Sequence, residues 1–255
     1  VAEDIITNSP YKLWTNEEYV NAWYKSNGAH TNEMIFEVVN ASNDDWTDRN
    51  GIAYLLNENG YADAIVTKSF MNMLSQDPKD VRIGMVLPAQ YDKDLQEEYG
   101  DAKIFINKFP ADKDDVGEMR LNNLPLLRLS EVYLVRAEAY YWLNDDENSQ
   151  KDLSSVMRKR ISGFGSLGVS GDDLLKEIKN ERARELYLEG FRLSDLKRWH
   201  DPIKRQKQLY SLQGPYNNEM EVKYTDAKYR FTTWPIPKHE IEATNGLVVG
   251  NASNN

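Results

Sequence analysis

One stretch of the chain places an aromatic ring among several hydrogen-bonding side chains. Residues 40–51 surround Trp46 with asparagine, aspartate, threonine and arginine, and two tyrosines follow shortly afterwards. Such a set suits a sugar, because the C–H face of a pyranose packs on an aromatic ring while its hydroxyl groups take polar partners. The candidate ligand-binding residues are a stacking platform, a second aromatic wall and three hydroxyl partners, respectively Trp46, Tyr54 or Tyr61, and Asn43, Asp45 and Arg49. The alternative is a solvated loop tethered by a buried Trp46.

Two pairs of acidic residues raise the question of glycoside hydrolysis. Most glycosidases use two carboxylates about 5–9 Å apart, and the available pairs are Asp44 with Asp45 and Glu181 with Glu185. Adjacent side chains point away from each other, and the second pair lies among arginines that keep carboxylates ionised. Because a general acid needs a raised pKa, neither pair predicts catalysis, and we expect no enzyme.

Other reaction classes and metal binding lack the residues that they need. The sequence has no cysteine and three well-separated histidines, which excludes a thiolate nucleophile and gives no metal-ligand spacing. Asp112, Asp114 and Asp115 could approach Ca²⁺, but the glycine and glutamate of an EF-hand are not at the right offsets. The G-x-G-x-x-G match at 163–168 follows a predicted helix rather than a strand, so it indicates a loop and not a dinucleotide site. We predict no metal and no cofactor.

The elements that must position these side chains are mainly helices. Apolar residues recur at helical spacing from 124 to 143, and a second stripe follows the turn at 144–146, which predicts an antiparallel hairpin with the dimensions of one tetratricopeptide unit. The predicted buried stripes consist of Val132, Val135, Ala139 and Leu143 in the first helix and Leu153, Val156, Met157 and Arg160 in the second.

A third helix is predicted after Ser170, whose hydroxyl can cap its first turn, and Gly190 fits its end. Arg182 falls in line with apolar residues of this helix. Because an unpaired buried guanidinium is strongly destabilising, Arg182 should bond to an acid such as Glu138, Glu189 or Asp195. The charges of this region are predicted to form a structural ion-pair network of Glu138, Glu181, Arg182, Glu185, Glu189, Arg192, Asp195 and Arg198.

Shorter sequence patterns predict the secondary structure of the N-terminal part. Pro10 predicts an irregular chain over 1–14. Thr15 and Glu18 have the spacing of a capping box, which predicts a helix directly after them. Residues 34–39 are rich in β-formers and predict a short strand.

Charge and hydropathy exclude some partners. A net charge of −10 over 255 residues argues against nucleic acid, since phosphate binding needs a basic face. The chain has no run of 18 apolar residues that would predict a membrane span.

Three helical segments carry a distinctive pattern of leucine, arginine and glutamate. They are Leu-Arg-Leu-Ser-Glu-Val-Tyr-Leu with Ala-Glu-Ala at 127–139, Val-Met-Arg-Lys-Arg at 156–160, and Glu-Arg-Ala-Arg-Glu-Leu-Tyr-Leu-Glu-Gly-Phe-Arg-Leu-Ser-Asp-Leu-Lys-Arg-Trp at 181–199. The pattern closely resembles the C-terminal half of the SusD/RagB family. The segments at 32–38 and 234–241 agree with it, so the resemblance spans most of the chain in the family's order.

The resemblance implies a mainly α, SusD-like helical fold with a tetratricopeptide-like hairpin, short strands and long loops. It also implies a Bacteroidota lipoprotein on the external face of the outer membrane, which binds oligosaccharides or polysaccharides and delivers them to a SusC-like TonB-dependent transporter. Family members are longer and begin with a lipidated cysteine. The resemblance therefore implies that the N-terminal half is absent here, and that membrane association occurs only through an anchor outside this chain.

We expect one SusD-like C-terminal domain over 1–255. Within it, 1–123 is loop-rich and holds the ligand loops, 124–200 is the helical core and 201–255 is irregular. In the family, glycan contacts come partly from variable loops after the early strand, which supports the functional interpretation of 40–60. The alternatives are a helical protein-interaction scaffold in a transporter complex without direct sugar binding, and a helical glycoside hydrolase.

Overall fold

The computed structural model describes residues 1–40, 51–56, 61, 64, 66–88, 104–110, 122–205, 220–226, 229, 234–244 and 247–250. Its helices are α1 (Ala2–Asn8), α2 (Asn16–Ala22), α3 (His30–Glu33), α4 (Ile52–Leu56), α5 (Lys68–Leu74), α6 (Leu129–Trp142), α7 (Asp146–Arg160), α8 (Gly171–Glu185), α9 (Arg192–Arg198) and α10 (Lys238–Ala243), with a 3₁₀ helix at Val81–Met85. The predicted mainly α fold class is confirmed.

The strands form short antiparallel ribbons. They are β1 (Met34–Val38), β2 (Val86–Pro88), β3 (Ile104–Ile106), β4 (Leu124–Arg128), β5 (Ile203–Arg205) and β6 (Met220–Val222). The pairs are β1 with β4, β2 with β3 and β5 with β6. The strand predicted at 34–39 is confirmed as β1, which pairs Val38 with Leu124 and Met34 with Arg128.

The chain divides into two compact units, Val1–Glu189 and Gly190–Asn255. In the first unit, α6 packs against α7, α8 and α1, and α5 packs against α8. In the second unit, α9 is followed by the β5–β6 ribbon, and the rings of His200 and Tyr224 stack at 3.8 Å between centroids. The predicted subdivision at 123 and 200 stays a prediction.

The helical hairpin forms as predicted, but its first helix starts later and buries a different face. Residues 124–128 are strand β4, because the residue before Pro125 favours extended backbone. The predicted stripe is wrong beyond Val132, since Val135, Ala139 and Leu143 are exposed. The buried face carries Leu134 and Ala137 instead, and Ser149 Oγ of α7 donates to the carbonyl of Ala137. The stripe predicted in α7 is confirmed, and its members Leu153, Val156, Met157 and Arg160 are buried.

The third helix, α8, buries its predicted face but differs at both ends. Ser170 makes no side-chain cap, and the backbone N–H of Gly171 instead donates to Asp146 Oδ2 at 2.9 Å. The helix ends at Glu185, and a turn separates it from Gly190, whose φ of 88° requires the left-handed region that glycine tolerates.

The N-terminal segment contains a helix where an irregular chain was predicted. In α1 the Asn8 amide donates to Asp4, and Glu3 pairs with Arg136 of α6, so local bonds and packing stabilise a helix that the pattern did not indicate. The capping box is confirmed, because Glu18 N donates to Thr15 Oγ1 and Thr15 N donates to Glu18 Oε2.

Aromatic rings fill the core beside α2. Trp14, Tyr19 and Trp23 are buried and meet edge to face, with centroids 5.3 Å apart for Trp14 and Trp23. Trp14 Nε1 donates to the carbonyl of Ala29 at 2.8 Å. Much of the chain's aromatic content therefore serves packing.

Candidate functional site

The predicted stacking platform lies outside the described residues, as do all three hydroxyl partners. These residues are Trp46, Asn43, Asp45 and Arg49. Their role in ligand binding therefore stays a prediction.

The structure brings together the two tyrosines predicted as the second wall. Tyr54 belongs to α4, which is anchored by the buried Ala53 and Leu56. The backbone N–H of Tyr61 donates to the Tyr54 carbonyl at 2.8 Å, and the two rings lie edge to face with centroids 5.0 Å apart. Tyr61 is 49% exposed. An exposed ring supported at its edge by a second ring is a suitable surface for a sugar.

A different set of side chains forms a buried charge cluster in the first unit. We use this name for the following four cations and five acids, whose side chains are at most a few per cent exposed and linked by hydrogen bonds: Arg82, Lys108, Arg128, Arg160, Glu33, Asp80, Glu181, Glu185 and Glu189.

Glu185 lies at the centre of the buried charge cluster. Its carboxylate accepts from Arg82 Nη1 at 3.2 Å, Arg128 Nη1 at 2.9 Å and Arg160 Nε at 3.0 Å. Glu185 is the last residue of α8, and the three arginines come from the 3₁₀ helix, β4 and α7. One carboxylate therefore joins four elements.

Glu33 connects the same cluster to the aromatic core. Its carboxylate accepts from Arg160 Nη2 at 2.9 and 3.0 Å, from Arg128 Nη1 at 2.8 Å and from the backbone N–H of Trp14 at 2.7 Å. The Arg160 guanidinium also lies 4.5 Å from the ring centroid of Tyr19, within the range of a cation–π contact. The N-terminal segment is thus fixed to the hairpin through charge.

Two further arrangements complete the cluster. Arg82 Nη2 donates to Asp80 Oδ2 at 2.6 Å, and Arg82 Nη1 donates to Glu181 Oε1 at 2.7 Å. Glu189 Oε1 accepts from Lys108 Nζ and from Arg128 Nη2, both at 2.6 Å. Every cation in the cluster therefore has a carboxylate within hydrogen-bond distance, as buried charges require.

The neighbouring cations lower the pKa values of three buried carboxyl groups of the cluster. Burial alone would raise the pKa of Glu185, but the guanidinium groups of Arg160 and Arg128 outweigh it and hold that pKa well below its usual range. The pKa values of Glu181 and Glu189 are lowered in the same way. For Lys108 burial prevails over the attraction of Glu189 and lowers the pKa to about 8. These carboxylates are poor general acids.

The residues predicted as one ion-pair network occupy several places. Glu181, Glu185 and Glu189 belong to the buried charge cluster, while Asp195 and Arg198 pair with each other at 2.9 Å in the second unit. Glu138 accepts from Trp142 Nε1, and Arg192 lines a cavity of about 560 Å³ in the second unit. Arg182 is 4% exposed, which confirms its predicted burial.

Sequence reasoning missed five members of the buried charge cluster, namely Glu33, Asp80, Arg82, Lys108 and Arg128. Two signals were present: Arg160 falls in the apolar stripe predicted for α7, and an Asp-x-Arg motif contains Asp80 and Arg82. A charged residue in an apolar stripe indicates a buried partner but does not name it.

Neither a metal-binding cluster nor a membrane-spanning helix occurs in the part of the chain that the structure describes. There, no cluster of three or more histidine, aspartate or glutamate residues could hold a metal ion. Over the same residues, no helix is both long enough and apolar enough to cross a membrane.

Comparisons with known proteins place this architecture among its relatives. The family model described as "SusD family" matches residues 8–253. The starch-binding protein SusD of Bacteroides thetaiotaomicron is 34% identical over 125 residues, which are 49% of this chain and 20% of that protein. A SusD superfamily structure from Bacteroides vulgatus has a TM-score of 0.77 at 28% identity and covers 98% of this chain and 52% of its own.

A second similar structure, at lower identity, shows the same fold. Surface glycan-binding protein A of Bacteroides thetaiotaomicron, in complex with laminarihexaose, has a TM-score of 0.63 at 22% identity and covers 98% of this chain and 58% of its own. The chain thus spans a little more than half the length of both solved structures. Because the family match extends over nearly all of its residues, the chain belongs to the SusD family.

Proposed function

We propose that this chain binds glycans without chemical change at the external face of the outer membrane and passes them to a SusC-like TonB-dependent transporter. The observation that carries the proposal is the similarity to the starch-binding protein SusD. Surface glycan-binding protein A, which shares the fold, has a solved structure in complex with laminarihexaose. The membrane location and the transporter partner rest on the family resemblance.

The tyrosine pair supports sugar binding in this chain. The exposed Tyr61 ring and its edge contact with Tyr54 offer one wall of a binding surface. In the proposal, Trp46 is the stacking platform, and Asn43, Asp45 and Arg49 bond to sugar hydroxyls. Sugar binding of this kind needs stacking and hydrogen bonds and no reactive group.

The charge state of the acids supports binding rather than hydrolysis. Among the described residues, every carboxyl group with a clearly shifted pKa is shifted downward. A glycosidase acid needs the opposite shift. The proposal therefore contains no catalytic residue.

The test is affinity electrophoresis of the chain through gels that contain starch, laminarin, mannan or xylan. We expect retardation by one polysaccharide and loss of that retardation in Trp46→Ala and Tyr61→Ala. Trp234→Ala is the matched control, because Trp234 is 91% exposed and lies in the other unit. Equal retardation of Trp46→Ala and the unmodified chain would contradict the assignment of Trp46 as the stacking platform. Release of shorter sugars during incubation would contradict the non-catalytic function.

One observation favours the scaffold as a second candidate function. The β1–β4 ribbon exposes an apolar face made of Phe36, Val38, Leu124 and Leu126. Exposed apolar patches of this kind often mark protein contacts. In a pull-down with the transporter, Phe36→Ser with Leu126→Ser would lose capture and retain polysaccharide binding if this face contacts the partner.

A further inference from the structure

The turn between α6 and α7 exposes a tryptophan beside a small cavity. Trp142 is the last residue of α6, and its side chain is 62% exposed. It lines a cavity of about 270 Å³ together with Tyr141, Asn144, Asp146 and Gly171. None of these residues belongs to the loop site or to the buried charge cluster.

Trp142 is held in place although it is exposed. Its Nε1–H donates to Glu138 Oε1 at 3.3 Å, and the Tyr141 ring meets it edge on with centroids 5.1 Å apart. The turn below is closed by backbone bonds, from Asn144 N to the Tyr141 carbonyl and from Asp145 N to the Tyr140 carbonyl, both at 2.9 Å. A ring that is ordered before binding loses little freedom when a ligand packs on it.

Polar groups stand beside the exposed ring. One carboxylate oxygen of Asp146 accepts from Gly171 N, which leaves the other available to a ligand hydroxyl. Asn144 is exposed, and its backbone N–H donates to the Tyr141 carbonyl. Amide and carboxylate groups next to an aromatic face are the elements of a sugar subsite.

We propose that this cavity, the hairpin-turn site, binds one pyranose ring of a neutral oligosaccharide, with Trp142 stacking on the ring and Asn144 and Asp146 bonding to its hydroxyls. The inference rests on the proposed glycan-binding function and adds a second contact on the same unit. A volume just below the usual range of about 300–1,000 Å³ fits a single sugar ring.

The surrounding charge selects for neutral sugars. Asp146 lines the cavity and Glu138 contacts the indole. The first turns of α7 and α8 add Glu147, Asp172 and Asp173, and among the described residues that line the cavity there is neither lysine nor arginine. A uronate or sulfate would bring a negative charge close to these carboxylates without a cation to neutralise it, so acidic sugars should bind poorly.

The test is an NMR titration of the ¹⁵N-labelled chain with maltohexaose, laminarihexaose and tri-galacturonate. The Trp142 indole signal is assigned with Trp142→Phe, and the backbone amides of Asn144 and Gly171 report on the site in all variants. We expect a neutral hexaose to shift these signals and tri-galacturonate to leave them unchanged. Trp142→Ala should weaken the response of the two amides about tenfold, a loss of about 1.4 kcal/mol.

Leu143→Ala is the control, because Leu143 is the exposed neighbour of Trp142 and does not line the cavity. An equal loss in Leu143→Ala and Trp142→Ala, or unmoved turn signals at millimolar hexaose, would overturn the site. An equal response to tri-galacturonate would overturn its selectivity.

The loop site and the hairpin-turn site can be contradicted independently of each other. If retardation by polysaccharide depends on Trp46 and the turn signals do not move, the proposed function stands and the hairpin-turn site is wrong. If the turn signals move and Trp46→Ala changes nothing, the hairpin-turn site stands and the loop assignment is wrong.

Discussion

The buried charge cluster and the exposed aromatic sites use opposite chemistry for different ends. The cluster removes nine charged side chains from water and satisfies them with one another, whereas Tyr61 and Trp142 leave apolar rings in water with few partners. Buried charge is stable only in one arrangement, since any missing partner leaves an uncompensated ion. Exposed rings contribute little to folding and remain free for a ligand. The segments that identify the family are therefore mainly structural, and the residues proposed for recognition lie outside them.

The largest effect is expected at Glu185. Glu185→Gln removes the charge that faces Arg82, Arg128 and Arg160, so the free energy of unfolding should fall by about 3–5 kcal/mol. Urea unfolding followed by circular dichroism measures this change. Glu147→Gln replaces an exposed acid and should stay within about 0.5 kcal/mol. Equal free energies of unfolding in Glu185→Gln and Glu147→Gln would show that the cluster does not stabilise the fold.

A pair of leucines on α6 tests which face of that helix is buried. Leu134→Ala should cost about 2–5 kcal/mol because the side chain is fully buried. Leu143 is 74% exposed, so Leu143→Ala should change stability by less than about 0.5 kcal/mol. Thermal unfolding of both variants measures the two changes in stability. A larger loss in Leu143→Ala than in Leu134→Ala would mean that the face of α6 predicted from the sequence is the buried one.

Acid should weaken the buried charge cluster. The pKa values of Glu181, Glu185 and Glu189 are lower in the folded chain than the ordinary 4.5. Their contribution to stability is therefore complete above about pH 4.5 and is lost as the pH falls through the folded-state pKa values. Urea midpoints measured from pH 7 downward should decline there, and the decline should be smaller in Glu185→Gln. A midpoint that stays constant on acidification would contradict the lowered pKa values.

The smallest effect on stability is expected at Tyr61. Tyr61→Ala should leave the free energy of unfolding within about 0.5 kcal/mol and weaken binding of the retarding polysaccharide by about 1 kcal/mol. Isothermal titration with an oligosaccharide of that polysaccharide measures the second change. Tyr61→Phe, which retains the ring, should bind nearly as well. A large loss of stability in Tyr61→Ala would assign Tyr61 to the core.

Local features were predictable from sequence, because they depend on residues a few positions apart. The capping box of Thr15 and Glu18 and the apolar stripe of α7 are examples. The face of α6 was not predictable, since apolar residues lie on both sides of that helix and the pattern fits either. Only packing against α7 and α8 decides that Leu134 is buried and Leu143 exposed.

The partners of the buried acids could not be predicted from the sequence for a different reason. Arg82 and Glu181 are 99 positions apart, and no periodicity links them. The sequence indicated that Arg182 and Arg160 are buried but could not select the acid that each would meet. In the candidate ligand site, the sequence suggested Tyr54 or Tyr61 as the second wall but not their edge-to-face contact, which accompanies a backbone hydrogen bond from Tyr61 to Tyr54.

The contact between Glu33 and Arg160 has a consequence for the rate of folding. These residues are 127 positions apart, so their hydrogen bonds form only after a long segment of chain has closed into a loop. Contacts of such high sequence separation slow folding, because the entropy of loop closure is lost before the contact stabilises anything. The α6–α7 hairpin, whose contacts are local, should therefore form early, and capture of the N-terminal segment by Arg160 should come late. In a newly made chain, Arg160 would stay without its hydrogen bonds to Glu33 until that step is complete.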